Sequence, residues 1–320
     1  MPLPNLAPPE KVSVAAARNI RVPADCSVQC RPETLILELK INLPHHPNFA
    51  GARPVQPRAV GEGSLTVVAS PSGNTRLQGL RQAGSTKLVF PQTHSAKLEA
   101  IVVNTAGGIT GGDSFTLQAT AKGGASLTLT TQAAERAYRA QTGETGQVTT
   151  NLAVEADASM HWLPQELILF DHCALRRRLE ITLADNARFL MVEPVVFGRT
   201  AMAEKLNTVW FQDRIRITRD NRPLYIDGMD IAGDAAAHMA RAAVANGAGA
   251  MASLVMVGAD AASRLGTLRG MLPKTAGASL IADDVLVMRH LASDGFELRR
   301  DLVPVLDHLT DNSLPISWRL

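Results

Sequence analysis

The stretch that decides the fold is Ser114-Phe115-Thr116-Leu117-Gln118-Ala119-Thr120, followed by the Lys122-Gly123-Gly124 turn and Ser126-Leu127-Thr128-Leu129-Thr130. Apolar and polar residues alternate in each half, so each half presents one apolar face when extended. A polar turn between two alternating runs predicts a hairpin. The pattern recurs. Gln147–Val154 leads through Glu155-Ala156-Asp157-Ala158 into Met160–Phe170, and Leu175–Leu183 leads through Ala184-Asp185-Asn186-Ala187 into Phe189–Phe197. Val209–Thr218 then leads through Arg219-Asp220-Asn221-Arg222 into Leu224–Ile226. The turn aspartates Asp157, Asp185 and Asp220 stand 28 and 35 residues apart, a loose repeat of paired strands. The physical reading is a large β layer of stacked or coiled, antiparallel-rich sheets.

The flanks differ from this body. Residues 1–62 form a proline-rich, largely irregular N-terminal extension in which Thr34–Leu43 alone reads as a strand. Residues 63–320 form a β-rich domain with an α/β C-terminal portion. In that portion Ala235–Ala245 is helix-prone and Met251–Val257 reads as a buried strand. Asp260 is placed to cap a helix carrying Ala261, Leu265, Leu268 and Leu272 on one face. Val285–Leu291 reads as a further strand. Asp294 and Glu297 form a capping-box pattern for a last helix, with Leu298, Leu302, Val305, Leu306 and Leu309 on one side and Pro304 as a kink or interruption.

Composition excludes several classes. A chain of 320 residues has ample core, and a formal net charge of +2 lacks the basic signature of a nucleic-acid or acidic-membrane binder. Cys26, Cys30 and Cys173 cannot form a complete disulfide set, which points to a reducing compartment. No stretch approaches the roughly 20 apolar residues of a membrane span, and no secretory signal opens the chain. The expectation is a cytoplasmic protein.

Upstream of the deciding stretch lies Asn104-Thr105-Ala106-Gly107-Gly108-Ile109-Thr110-Gly111-Gly112-Asp113. Paired glycines mark a backbone that bends sharply or packs hard against another segment. A phosphate cradle would need Lys-Ser or Lys-Thr after the glycines and a helix beyond. Asp113 stands there instead, before a strand, and a carboxylate repels phosphate. The loop is a tight turn or a partner contact. An enzyme built around this loop, with Asp113 as acid or base, is the alternative.

Glu166 and Glu193 sit inside apolar strand-like runs. A buried carboxylate without a partner costs several kcal/mol or takes up a proton. Each therefore pairs with an arginine such as Arg199 or caps backbone amides, or both line a wet internal passage. Metal signals are weak. Cys26-x3-Cys30 has no second pair, His45-His46 and His94 belong to no H-E-x-x-H pattern, and Asp171-His172-Cys173 alternates between strand faces. No nucleophile elbow or cysteine in a catalytic setting is present.

Four motifs in order, Asn104–Asp113, Thr130–Arg139, Trp162–Asp171 and Glu193–Glu204, together with the closing Leu314-Pro315-Ile316-Ser317-Trp318, resemble the urease accessory protein UreD (UreH) family. The resemblance covers about residues 63–320. It implies a mainly β fold, with two stacked mixed β-sheets in a coiled, β-helix-like arrangement and a few α-helices, mostly C-terminal. It implies a non-enzymatic role: with UreF and the GTPase UreG, such a protein docks on apo-urease and helps deliver nickel through an internal channel. No cofactor is held permanently, and nickel is handled transiently. Asn104, Gly107, Gly108, Gly111, Gly112, Asp113, Arg136, Gly198, Arg199 and Glu204 match the family's structural and partner-contact motifs. Glu166 and Glu193 match its acidic positions and become candidates for the nickel route. Ala203 stands where the family usually has glycine, and His172-Cys173 departs from its commoner residues.

Overall fold

The turn at Lys122–Ala125 does not fold its flanking strands back onto one another. Ser114–Ala121 lies in one sheet and Ser126–Thr131 in another, and the chain crosses between them. The computed structural model describes residues 56–92, 95–199 and 202–319. The strand read at Thr34–Leu43, the Cys26/Cys30 pair, His45-His46 and His94 lie outside the described residues.

In chain order the first strands are β1 (Val60–Ala69), β2 (Thr75–Gly84), β3 (Thr86–Val89), β4 (Leu98–Asn104), β5 (Ser114–Ala121), β6 (Ser126–Thr131) and β7 (Glu135–Ala137). The body continues with β8 (Gly146–Val154), β9 (Ser159–Leu163), β10 (Leu167–Leu169), β11 (Ala174–Leu183), β12 (Arg188–Phe197), β13 (Val209–Arg219) and β14 (Arg222–Gly233). The C-terminal part adds α1 (Ala235–Met239), β15 (Ala250–Val257), α2 (Ala261–Met271), β16 (Ala276–Ala282), β17 (Val285–Ala292) and α3 (Gly295–Leu309). A 3-10 turn at Ile316–Arg319 follows.

Sheet A has the order β14-β13-β11-β8-β5-β1-β2, and sheet B runs β16-β17-β15-β12-β9-β6-β4-β3 with β10 and β7 attached beside β12. The fold is mainly β, two stacked mixed sheets in a β-solenoid-like coil with three α-helices among the described residues. The coil is parallel, which corrects the hairpin reading. Ser114 pairs in parallel with Gln147, Gln147 with Arg176, and Arg176 with Gln212 in sheet A; Leu127 pairs in parallel with Met160, and Met160 with Phe189, in sheet B. Arg219–Arg222 does make the expected hairpin, joining β13 and β14.

Stacked turns explain the parallel outcome. Ala125, Ala158 and Ala187 each donate to the carbonyl three residues back, and all three side chains are buried. Glu155 N–H bonds Ala121 O and Ala184 N–H bonds Val154 O, so each turn sits on the one before. Asp157 N–H and Asn186 Oδ1, 2.9 Å apart, tie neighbouring turns through a side chain. Alternation is the same for a hairpin and for a turn that crosses between layers; only the direction of the backbone hydrogen bonds differs.

The space between the sheets holds Leu117, Leu129, Leu152, Met160, Ile181, Phe189 and Ile217. The outer face of sheet B packs on α2 and α3 through Leu190, Leu254, Leu268, Leu298, Leu302, Val305 and Leu306. β12 and β15 are therefore buried on both faces, as a central strand between two apolar layers must be.

Other expectations shift. Among the described residues the first strand starts at Val60, three residues before Gly63. Met160–Phe170 is two strands, because Pro164 supplies no N–H to the ladder and β10 restarts beside β7. The expected Ala235–Ala245 helix stops at Met239, since within it only Ala235, Met239 and Ala245 find buried surroundings, and an alanine run without an apolar stripe gains little from packing. β16 was not anticipated. Asp260 makes no side-chain cap; its carboxylate binds Arg188 at 2.8 Å and Arg264 at 2.6 Å. Asp294 caps α3 by accepting from Glu297 N–H at 2.8 Å, while the Glu297 carboxylate takes the Ser293 hydroxyl. Pro304 stays inside α3 on its exposed side, where the carbonyl it leaves unbonded meets water.

His161 on β9 carries a pH signature. Burial, with Lys97 and Arg188 nearby, pushes its pKa down to about 4, and its Nδ1 is buried without a partner. The unfolded chain then binds more protons than the folded one between the ordinary histidine value and about 4, so stability falls as pH drops through that window. The residue as a whole is half-buried, so solvent screens some of the effect. Urea unfolding at pH 7.5 and 5.0 is expected to show a loss that His161→Gln reduces by roughly 1–2 kcal/mol. Glu135 and Glu193, whose pKa values burial raises, act in the opposite sense in both chains, so the difference between chains is the readout.

Candidate functional site

A cavity of about 300 Å³ lies between the two sheets at the end where the glycine loop joins β4 to β5. Exposed Gln132, Ala133 and Arg136 mark its mouth, and buried Trp162 and Glu193 with largely buried Arg177 form its deep end. At the mouth, Asn104 Nδ2 donates to Glu135 Oε2 and to Gly108 O, both at 3.0 Å. Burial raises the Glu135 pKa against the pull of Asn104 and Arg136.

The deep end is a charge cluster assembled from strand period. On β11 the inward positions are Leu175, Arg177, Leu179, Ile181 and Leu183; on β13 they are Val209, Phe211, Asp213, Ile215 and Ile217. Arg177 and Asp213 are direct register partners. The guanidinium donates to both Asp213 oxygens, Nε to Oδ1 at 3.0 Å and Nη2 to Oδ2 at 2.5 Å. From the opposite sheet, Glu193 on β12 places Oε2 2.5 Å from Arg177 Nη1 and accepts Trp162 Nε1–H on Oε1 at 2.6 Å. Burial, with Asp213 adding to it, raises the Glu193 pKa, and Arg177 and Trp162 oppose the shift. Burial disfavours the charge on Arg177, but Asp213 and Glu193 outweigh it and hold the guanidinium above its ordinary value.

A second, tight cavity of about 10 Å³ lies beyond, lined by Glu193, Asp213, Asp227, Ser253 and Arg289. That volume is about one water molecule. Asp227 accepts from Arg289 at 2.6 Å, Tyr225 at 3.1 Å and Ser253 at 3.3 Å. The two cavities share Glu193, so Glu135, Glu193, Asp213, Asp227 and the half-exposed Arg289 form a track of polar groups along otherwise mostly apolar walls.

The sequence motifs converge beside the mouth. Ile109 N–H bonds Arg136 O and Tyr138 N–H bonds Ile109 O, which ties the glycine loop to the Thr130–Arg139 motif. A Cβ at Gly108 would overlap the Tyr138 ring, and one at Gly111 would come within 2.7 Å of Glu144 Cβ. Gly107 and Gly112 take left-handed φ of 78° and 85°. Tyr138 packs edge-on against Phe170 at 5.0 Å, and Arg199 lies over the Phe170 ring at 4.4 Å. Arg199 also grips Glu204 by two bonds of 3.0 Å, which hold the Glu204 carboxyl below its ordinary pKa, and Gly198 N–H bonds Leu169 O. Ala203 has φ 51°, the left-handed conformation that glycine takes freely.

Several expected roles change. Asp113 is buried and occupied: it accepts Ala59 N–H and Thr110 N–H, both at 2.8 Å, and closes the turn. Neither glutamate pairs with Arg199. Glu193 faces the cavity with Arg177, whereas Glu166 is held by Arg299 of α3 at 2.9 Å and does not line the cavity. Cys173 is buried, with its thiol pushed up to about 12 by burial, while His172 is exposed. Among the described residues no group of three or more His, Cys, Asp or Glu side chains could hold a metal ion, and no helix is long and apolar enough to cross a membrane. Arg177 and Asp213 were missed. Period two on the predicted strands Leu175–Leu183 and Val209–Thr218 places both on the apolar face, which was the available signal.

A family profile described as UreD urease accessory protein matches residues 60–318. The urease accessory protein UreD of Roseobacter denitrificans is 51% identical over 265 residues, covering 83% of this chain and 96% of that protein. The UreD proteins of Ruegeria pomeroyi and Rhizobium leguminosarum bv. viciae are 52% and 41% identical, over 76% and 82% of this chain and 95% and 96% of theirs. With the fold, the converging motifs and these similarities together, the chain belongs to the UreD urease accessory protein family.

Proposed function

We propose that this urease accessory protein is a non-enzymatic scaffold in the cytoplasm that binds UreF and, through it, the GTPase UreG, docks on apo-urease and passes Ni2+ along its interior. The observation that carries this reading is the polar track between the sheets, with Glu193 common to both cavities. A solenoid core made only for stability would fill these inward positions with aliphatic residues, since a buried ion cluster is weak evidence for stability. Oxygen donors suit transfer: they bind a borderline ion weakly enough to release it, unlike a closed thiolate site. The exposed Tyr138, Arg136 and Arg199, with the half-buried Phe170 packed among them, are the partner-contact surface of this reading, and the glycine loop holds it in shape.

The test is the nickel content of urease matured with the full accessory set. Glu193→Gln is expected to lower nickel per urease several-fold, and Glu166→Gln, whose carboxylate serves the contact with α3, is expected to leave it near wild type. Normal loading by a folded Glu193→Gln protein that still co-purifies with UreF would remove the interior route and leave a plain interaction module.

A further inference from the structure

Arg177 stands in the wall between the two cavities. It lines the larger one, Asp213 lines the smaller one, and Glu193 lines both. One guanidinium therefore bridges carboxylates contributed by two different sheets, at side-chain exposures of 13% for Arg177, 8% for Asp213 and 5% for Glu193. Its contact with Asp213 is directed and bidentate. Its contact with Glu193 is a single-point ion pair: Oε2 is 2.5 Å from Nη1 and buried. That buried oxygen is compensated by the guanidinium's charge, the place a competing cation would take. A cation between the same two carboxylates would meet oxygens from both sheets. Two carboxylates fall short of a closed ligand set, which agrees with the lack of a three-ligand group among the described residues. The smaller cavity of about 10 Å³ admits about one water, so no hydrated ion passes while the guanidinium is in place. The larger cavity of about 300 Å³, which Arg177 already lines, has room to receive the side chain if it swings away.

We infer that Arg177 is a tethered plug: a divalent cation crossing the track displaces its guanidinium from Glu193 and Asp213, is held by those oxygens in passing, and gives the place back. This rests on the nickel-route reading and adds its gate. No bond is made or broken covalently; one cation replaces another.

The test uses the full-length purified chain in equilibrium dialysis against Ni2+. Arg177→Gln is expected to bind Ni2+ about tenfold more tightly than wild type, and adding Asp213→Asn is expected to abolish the gain. A folded Arg177→Gln chain that takes up no more Ni2+ than wild type overturns the plug. Because that variant leaves two buried carboxylates without their cation and can fail to fold, wild type supplies a second measurement. With 15N-arginine labelling, the Arg177 Nε–H, which donates to Asp213 Oδ1 at 3.0 Å, is assigned by its loss in Arg177→Lys. Diamagnetic Zn2+ is expected to shift or broaden it. A resonance unmoved at Zn2+ concentrations that saturate the exposed His172 ring overturns the proposal as well. The plug and the route fail separately. If Glu193→Gln starves urease of nickel while both Arg177 measurements are negative, the route stands without a gate. If the Arg177 measurements succeed and Glu193→Gln loads urease normally, the cation site stands without the delivery role.

Discussion

Replacing Trp318 with alanine is expected to destabilise the protein by about 4 kcal/mol, the range found for large aromatic truncations in a packed core. Trp318 is followed by only Arg319 and Leu320 in the sequence, yet it is 1% exposed. Its indole N–H donates to Leu163 O at 3.0 Å, at the point where β9 ends and Pro164 breaks the ladder. Arg299 lies over its ring at 5.1 Å, and Arg299 Nη2 donates to Ser317 O at 3.1 Å. The same arginine holds Gln165 at 2.6 Å and Glu166 at 2.9 Å. Removing the indole therefore loses buried apolar area, orphans a backbone carbonyl and loosens the contact between α3 and the β9–β10 connection. Thermal unfolding is expected to show a midpoint roughly 10 °C lower. Trp318→Phe keeps most of the packing and loses the hydrogen bond, so it is expected to fall between the two. An alanine variant within about 1 kcal/mol of wild type would mean that the C-terminal turn contributes little to this core.

Gly108→Val is the second large effect, expected at about 3 kcal/mol, because overpacking at a rigid contact forces backbone or ring displacement. A Cβ there collides with the Tyr138 ring and reaches Arg136 O at 3.0 Å. Tyr138 cannot yield freely: its N–H is bonded to Ile109 O, and its ring packs on Phe170 under Arg199. Gly107→Ala is the control. Gly107 has a left-handed φ of 78° but nothing within 4 Å of an added Cβ, so its cost is expected to be about 1–2 kcal/mol from conformation alone. Gly108 has its own unfavourable φ of 157°, so chemical denaturation is expected to show conformation plus crowding there against conformation alone at Gly107; equal losses would refute the crowding argument. Soluble yield and UreF co-purification are expected to fall with Gly108→Val, because the loop, Tyr138 and Phe170 move together.

Much of the site was legible strand by strand. Alternation in Leu175–Leu183 puts Arg177 on the same face as Leu175 and Leu179, and alternation in Val209–Thr218 does the same for Asp213. Glu193 reads as a buried carboxylate from its apolar neighbours. What alternation does not carry is which inward charge meets which. Arg199, six residues from Glu193, pairs with Glu204, while Arg177 reaches Glu193 from the other sheet. Asp113, which invites a chemical role in sequence, spends both oxygens on backbone amides.

By itself the sequence determined that the chain makes many short strands with one apolar face each, that polar turns recur between them, that a capped helix with a leucine stripe closes the C-terminal part, and that four motifs resemble one family. Those are local properties: period, turn chemistry and propensity act over a few residues. The tertiary structure alone decided that the strands stack in parallel coils, because an in-plane hairpin and a turn crossing between layers have the same alternation and differ only in where the backbone N–H groups point. It alone decided that Arg177, Asp213 and Glu193 form one cluster, because the register between β11 and β13 and the facing of two sheets are long-range choices. These are fixed by the whole core, since a slip of one residue would turn every inward side chain outward.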